Sequence, residues 1–104
     1  MSGKRKYRRR PLAVAIRMRD QSGAGEIEFD TLDLSLGGAF VKSELFFEIG
    51  DQFELELSLN GATPLALHAR VVRTSRDEDR PGMGIAFEPM PDAVRNAIYE
   101  FLNT

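Results

Sequence analysis

The strictest pattern in the chain is an alternation of apolar and polar residues between positions 53 and 59. Its apolar members are Phe53, Leu55, Leu57 and Leu59, and its polar members are Glu54, Glu56 and Ser58. A period of two places the two sets on opposite faces of an extended strand, so that one face packs into a core and the other meets water. Asn60-Gly61 follows and is a strong hairpin signal, although Pro64 indicates a loop longer than two residues. This part of the chain is therefore predicted to form an antiparallel hairpin.

The same period recurs in shorter segments along the chain. They lie at about 12–19, 27–29, 39–41, 65–71 and 83–87, with turn residues between them. After Pro89 and Pro91 the period changes to that of one helical face, formed by Val94, Ile98, Phe101 and Leu102. Asp92 suits the positive end of that helix dipole. Six or so short strands followed by one terminal helix predict an all-β barrel with a helical cap.

Composition limits what else the chain can do. Its 104 residues fit one domain, and a hydrophobic content of 42% is enough for a modest core. It has no cysteine, and its one histidine, His68, falls on the polar side of its strand. No carboxylates have the spacing of a calcium loop, and neither a signal core nor an apolar run of the ~20 residues that span a bilayer is present. We therefore expect a cytoplasmic protein that is not an enzyme, holds no metal or cofactor and does not insert into a membrane.

Charge is divided unevenly along the chain. Six of the seven positions from Lys4 to Arg10 are Lys or Arg, with Tyr7 as the interruption, and Pro11 ends the run. Through Arg19 there are eight Lys/Arg and no acidic residue, whereas the remainder holds six Lys/Arg against sixteen Asp/Glu, a formal charge of −10. One interpretation of the basic end is a solvated terminus, and the other is an arm that grips an anion. Because the acidic body would repel a long polyanion, a small anionic ligand is favoured over long DNA or RNA.

The basic run is rich in arginine rather than lysine. A guanidinium is a planar fork that can bond a phosphate or the O6/N7 edge of guanine, and it can also stack on a ring. An ammonium group supplies only the phosphate contact. This composition suits a ligand that has both a phosphate and a purine.

A second stretch, Asp33-Leu-Ser-Leu-Gly-Gly38, also stands out. A buried barrel strand would avoid Asp, Ser and two glycines close together unless the backbone had to turn or something had to approach closely. One interpretation is a tight turn in which Asp33 and Ser35 bond their own backbone. The other is a binding site in which Asp33 accepts paired N–H donors, Ser35 donates to an anionic oxygen, and Gly38 leaves room for a planar ring. The residues alone leave both interpretations open.

Both stretches together resemble the PilZ domain family of bacterial cyclic di-GMP receptors. The family's RxxxR motif reads Arg5-Lys-Tyr-Arg-Arg9, followed by Pro11, although other frames such as Lys6 to Arg10 also exist in the basic run. Its [D/N]xSxxG motif reads Asp33-Leu-Ser35-Leu-Gly-Gly38. The closing strand, 82–87, and the terminal helix also resemble the end of the family's domain.

The resemblance implies a six-stranded antiparallel β-barrel over residues 12–104, with a C-terminal α-helix at about 92–103. Residues 1–11 would form a flexible basic switch loop that binds ligand and folds over the barrel. Cyclic di-GMP would be bound by Arg5, Arg9, Asp33, Ser35 and Gly38, with auxiliary contacts from Lys4, Arg8, Arg10 and Gly37. The basic residue before RxxxR, Lys4, favours a stacked pair of ligand molecules. Ordering of the loop would signal to an unidentified effector protein, with this chain as an adaptor.

Two alternative functions are compatible with the same residues. One is a PilZ-like interaction domain that does not bind the nucleotide, and the other is a small β-barrel that binds nucleic acid through its basic end. The sequence also leaves open whether Arg70 or Arg73 touches ligand, since both lie on a strand that could border the site.

Overall fold

A computed structural model of the chain describes residues 10–11, 14–20, 26–43, 47–59 and 63–103. Within these ranges it contains seven strands and one helix. They are β1 (Arg10–Pro11), β2 (Ala15–Asp20), β3 (Glu26–Leu34), β4 (Gly38–Lys42), β5 (Gln52–Leu57), β6 (Leu65–Ser75), β7 (Gly82–Phe87) and α1 (Asp92–Leu102).

Six of the strands close into a barrel. Their order is β3-β2-β5-β6-β7-β4, and β4 pairs back with β3, so that every strand from β2 to β7 has two neighbours within the barrel. All of these pairings are antiparallel. The two-residue strand β1 pairs with the last part of β3. The predicted six-stranded antiparallel barrel with a C-terminal helix is confirmed, and closure leaves the described strands β2 to β7 without a long open sheet edge.

The barrel interior is filled by the apolar half of each alternation. In β5, Phe53 and Leu55 are each 2% exposed and Leu57 is fully buried. In the helix, Ile98 is fully buried, and it packs into the same core with Val94 and other residues of the predicted helical face. The hairpin between β5 and β6 has a loop longer than two residues, as Pro64 indicated.

Two strands are longer than their alternation predicted, and each contains an irregularity in its register. In β3 the register shifts between Thr31 and Asp33, and in β6 it shifts between Val71 and Arg73. A β-bulge adds one residue to one strand, so the inside-outside alternation changes phase there. The period-of-two pattern breaks at these points even though the strand continues. Asp33 therefore lies in a strand rather than in the turn after it, and β6 continues to Ser75.

Candidate functional site

The turn between β3 and β4 is built around Ser35. Its backbone N–H donates to the carbonyl oxygen of Gly38 at 2.9 Å. Its Oγ accepts from the N–H groups of Gly37 and Gly38 at 3.1 and 3.2 Å, and its hydroxyl donates to the Gly38 carbonyl at 3.3 Å. A serine hydroxyl has one donor and two acceptor positions, and all three are used here. Ser35, which is 3% exposed, thus shapes the tight turn that one sequence interpretation predicted.

The close approach of β7 to β4 requires a glycine at position 38. It pairs with Ala86 of β7, and a Cβ atom placed on it would lie 2.1 Å from the carbonyl oxygen of Ile85. The atom in the way belongs to backbone, which cannot rotate aside as a side chain can. Gly38 therefore has a structural reason to be glycine in addition to the close ligand approach that the motif predicts.

Next to this turn, a row of paired residues on neighbouring strands, called the Phe40 row below, crosses the outside of the barrel. Asp33 pairs with Phe40, Phe40 pairs with Gly84, and Gly84 pairs with Arg73. Their sequence neighbours Leu34, Ala39, Val41 and Ile85 are all in the core. Because consecutive strand residues point to opposite faces, this row faces outward. The two bulges produce this arrangement. The bulge in β3 turns Asp33 to the outside of the barrel, and the bulge in β6 does the same for Arg73.

Phe40 is an aromatic ring on the outside of the barrel that is nevertheless only 4% exposed. The guanidinium carbon of Arg73 lies 5.4 Å from the ring centroid, and that of Arg80 lies 5.1 Å from it. Both distances are in the range of a cation–π contact. Arg80, from the loop before β7, also forms an ion pair with Asp33, with Nη2 3.7 Å from Oδ2. The side chain of Asp33 is 17% exposed, so this carboxylate is partly shielded from water.

The basic N-terminal segment joins the barrel beside Asp33. In β1, Arg10 pairs with Leu34 and Pro11 pairs with Asp33. The remaining cations of the predicted site, Lys4, Arg5, Arg8 and Arg9, lie outside the described residues, as does the side chain of Arg10. The chain thus brings the end of its basic run to the strand that carries Asp33, and the individual arginine contacts remain predictions.

Elsewhere on the barrel, arginines are matched by carboxylates. Arg19 donates to Glu26 at 2.6 Å and lies 3.6 Å from Glu54, while Arg17 lies 3.4 Å from Glu56. The hydrogen bond from Arg19 and its positive charge hold the pKa of Glu26 below its usual range, and the same bond raises the pKa of Arg19. This face is a solvated ladder of cross-strand ion pairs, as the alternation of acids in β5 indicated.

Two residues that the sequence left undecided are now located. Arg70 donates from Nη1 to Glu88 at 3.0 Å and pairs in register with Ala86, whose partner on the other side is Gly38. Arg73 lies over Phe40 instead. His68 is exposed and pairs in register with Glu54, which agrees with its predicted position on the polar face of β6. Neither Phe40 nor Arg80 was singled out by the sequence, because no spacing rule links them to Asp33.

Comparison with known proteins shows the family. The protein-family model described as the PilZ domain matches residues 3–104, and the chain therefore belongs to the PilZ domain family, as the two motifs predicted. A search of curated proteins found no match.

Solved structures show the same fold at low sequence identity. The inhibitor of motility MotI/DgrA of Bacillus subtilis is 19% identical with a TM-score of 0.79, over 94% of this chain and 48% of that one. YcgR from Escherichia coli in complex with c-di-GMP is 18% identical with a TM-score of 0.80, over 95% of this chain and 44% of that one. The PilZ domain of CeSA from a cellulose-synthesizing bacterium is 19% identical with a TM-score of 0.69, over 89% of this chain and 92% of that one. The present chain thus spans about half the length of MotI/DgrA, and less than half that of YcgR.

Two further findings concern the described residues only. No helix among them is long and apolar enough to cross a membrane. No group of three or more His, Cys, Asp or Glu side chains in the same ranges could hold a metal ion.

Proposed function

We propose that this protein is a cytoplasmic receptor for cyclic di-GMP that signals by ordering its basic N-terminal segment. The observation that carries the proposal is the position of Asp33. It is a partly shielded carboxylate on the outside of the barrel, next to the guanidinium of Arg80 and to the strand where the basic run ends. The family membership and the c-di-GMP complex of the structurally similar YcgR support the same ligand.

The chemistry of the ligand matches these groups. Guanine carries adjacent N1–H and N2–H donors, and a carboxylate accepts both at once. The two phosphates of cyclic di-GMP require cations, which Arg5 and Arg9 of the RxxxR motif would supply, with Lys4, Arg8 and Arg10 adding attraction. Gly37 has no side chain, so a planar base can come close to the turn there, whereas the place of a Cβ at Gly38 is filled by the backbone of β7. A phosphate contact from Ser35 would use the hydroxyl proton that it now shares with the Gly38 carbonyl, its longest hydrogen bond in the turn.

Ligand binding would change the conformation of the basic segment by neutralising its charge. Six cations in seven consecutive positions repel one another, and an anionic ligand removes that repulsion. The segment could then pack against the barrel beside Asp33, and the surface offered to another protein would change. We infer that the output is a contact with a separate effector protein and that the chain is an adaptor rather than an enzyme. A stacked pair of ligand molecules is the stoichiometry that Lys4 favours.

Isothermal titration calorimetry of the whole chain with cyclic di-GMP tests the proposal. We expect saturable binding that Asp33→Ala and Arg9→Ala each weaken, by about 1–3 kcal/mol for each bidentate hydrogen-bonded pair that the substitution removes. Glu54→Ala is the matched control for the loss of an acidic side chain, because Glu54 lies on the ion-pair ladder away from the site. If folded protein gives no binding heat at high micromolar ligand, the proposal fails and the interaction-domain alternative takes its place.

A parallel titration with long DNA and RNA separates the nucleic-acid alternative. A polyanion site would lose affinity steeply as salt rises. It would be unaffected or strengthened by Asp33→Ala, because removal of an acid does not weaken attraction to a polyanion. The receptor proposal predicts the opposite sign for the same substitution with cyclic di-GMP.

A further inference from the structure

The Phe40 row ends at Arg73 and lies beside Arg80, and neither of these arginines belongs to a sequence motif. We propose that Arg73 and Arg80 form a second arginine pair that binds the same ligand, with Phe40 as the apolar floor beneath it. This inference rests on the proposed function and extends it, since it assigns ligand contacts to β6 and to the loop before β7.

The two cations at Phe40 have few carboxylate partners. Two guanidinium groups lie within 5.4 Å of the centroid of one ring. Within the described part of the chain, Asp33 is the only carboxylate in an ion pair with either of them. On the ion-pair ladder, by contrast, each arginine has two carboxylate partners: Glu26 and Glu56 for Arg17, and Glu26 and Glu54 for Arg19. Only Arg80 is paired with that carboxylate, so the guanidinium of Arg73 keeps its charge available for an anionic partner.

The backbone holds Arg73 in this position. The β6 bulge at Val72 puts Arg73 on the outside, where strict alternation from Val71 would have turned it inward. Its neighbour on β7 is Gly84, and a Cβ there would lie 2.8 Å from both Cγ and Nε of Arg73. The absence of a side chain at Gly84 is therefore what lets Arg73 lie across β7 towards Phe40. Bulges are enriched next to binding sites, where they re-aim side chains.

A guanidinium that rests on a phenyl ring still has a second planar face. A purine can stack on that outer face while the N–H groups at the edge bond a phosphate oxygen. This is the role of Arg73 in the proposal. The outer position of the Phe40 ring thus serves to support a cation rather than to fill the barrel core.

Arg80 has a different role in ligand binding, because it already contacts Asp33. Its side chain is 59% exposed and its ion pair with Asp33 is 3.7 Å long, so the pair is loose and open to solvent. The guanine N1–H and N2–H groups replace Arg80 on the carboxylate, and Arg80 turns to a ligand phosphate. The exchange leaves Asp33 with partners throughout, so no partly shielded charge is stranded during binding.

Calorimetry with cyclic di-GMP on single variants of the whole chain tests the pair. We expect Arg73→Ala and Arg80→Ala each to weaken binding about tenfold or more, since each removes charge-assisted hydrogen bonds. Arg17→Ala is the matched control, because it removes the same charge from the ion-pair ladder, where Arg17 lies 3.4 Å from Glu56. We expect it to stay within about twofold of the wild type, as an exposed ion pair contributes little. All three side chains are on the surface, and thermal melts of the ligand-free variants would verify that each is folded.

Arg73→Lys distinguishes a planar contact from simple attraction. It keeps the charge and removes the guanidinium plane and fork, so we expect it to bind about as weakly as Arg73→Ala. Wild-type affinity in Arg73→Lys, equal weakening in all three alanine variants, or wild-type affinity in Arg73→Ala and Arg80→Ala would each overturn this inference while leaving the receptor intact. Absence of binding by the wild type would instead defeat the proposed function itself.

Discussion

Gly38→Ala should destabilise the fold whether or not ligand is present. The new Cβ would lie 2.1 Å from the carbonyl oxygen of Ile85, 3.1 Å from its carbonyl carbon and 3.2 Å from the Cα of Ala86. All three atoms are backbone of β7, so relief requires β4 and β7 to separate. That separation would weaken the pairing of β4 with β7, in which Gly38 is opposite Ala86 and Ala39 is opposite Ile85.

The size of the effect follows from two opposing contributions. Overpacking typically costs about 1–3 kcal/mol, and replacing glycine returns about 0.4–1 kcal/mol by restricting the unfolded chain. Because the obstacle is backbone, we expect the overpacking cost to be near its upper end and the net destabilisation to be about 1–2 kcal/mol. For a domain of this size that corresponds to a fall in Tm on the order of 10 °C.

Thermal and urea denaturation of ligand-free protein, followed by circular dichroism, measure this destabilisation. Gly84→Ala is the matched control on β7, because the three atoms nearest to its new Cβ all belong to the flexible side chain of Arg73. We expect its stability to stay within about 0.5 kcal/mol of the wild type, while displacement of Arg73 weakens ligand binding. A wild-type Tm for Gly38→Ala would refute the packing argument and leave ligand approach as the reason for glycine at this position.

Three other predictions concern the turn, the helix and the ion-pair ladder. Ser35→Ala removes the acceptor for the Gly37 and Gly38 N–H groups, and we expect a destabilisation of about 1–3 kcal/mol in urea denaturation; an unchanged midpoint would show that the turn forms without the hydroxyl. Ile98→Ala opens a cavity where the helix meets the core and should cost about 2–5 kcal/mol in the same assay, whereas a small change would mean that the helix contributes little to the fold. The lowered pKa of Glu26 means that its pair with Arg19 stabilises the fold above the pKa of an unfolded Glu, about 4.3, and that this contribution disappears as pH falls through the lower folded value. The free energy of unfolding of Glu26→Gln should therefore fall less steeply than that of the wild type as the pH is lowered into the acid range. Parallel pH–stability curves for the two proteins would contradict a stabilising pair between Glu26 and Arg19.

Much of the barrel could be predicted from periodicity because its core is lined by regular alternation. The run at 53–59 specified which face of β5 is buried, and the change of period after Pro91 specified the helix and its apolar face. An alternation with a period of two, however, predicts only those parts of a strand that are regularly paired. Each bulge changes the phase within a strand, so the ends of β3 and β6 looked like turns.

The candidate site depends on those same irregularities. Asp33 was predicted from its motif, but its outward position and its pairing with Phe40 follow from the bulge after Thr31. Arg80 reaches the site through the closure of the barrel, which brings β7 beside β4. Residues that meet only through barrel closure leave no spacing in the sequence, and this is why Phe40 and Arg80 were not predicted.

The most direct test of the receptor account is a map of the ligand on the folded protein. Backbone amide chemical shifts of ¹⁵N-labelled protein, followed during titration with cyclic di-GMP, report binding and location together. We expect saturable shifts at Asp33 to Phe40, at Arg73 and Gly84, and in the basic segment before Pro11. Shifts confined to the ladder of Arg17, Arg19 and Glu26, or no shifts at high micromolar ligand, would contradict the receptor account.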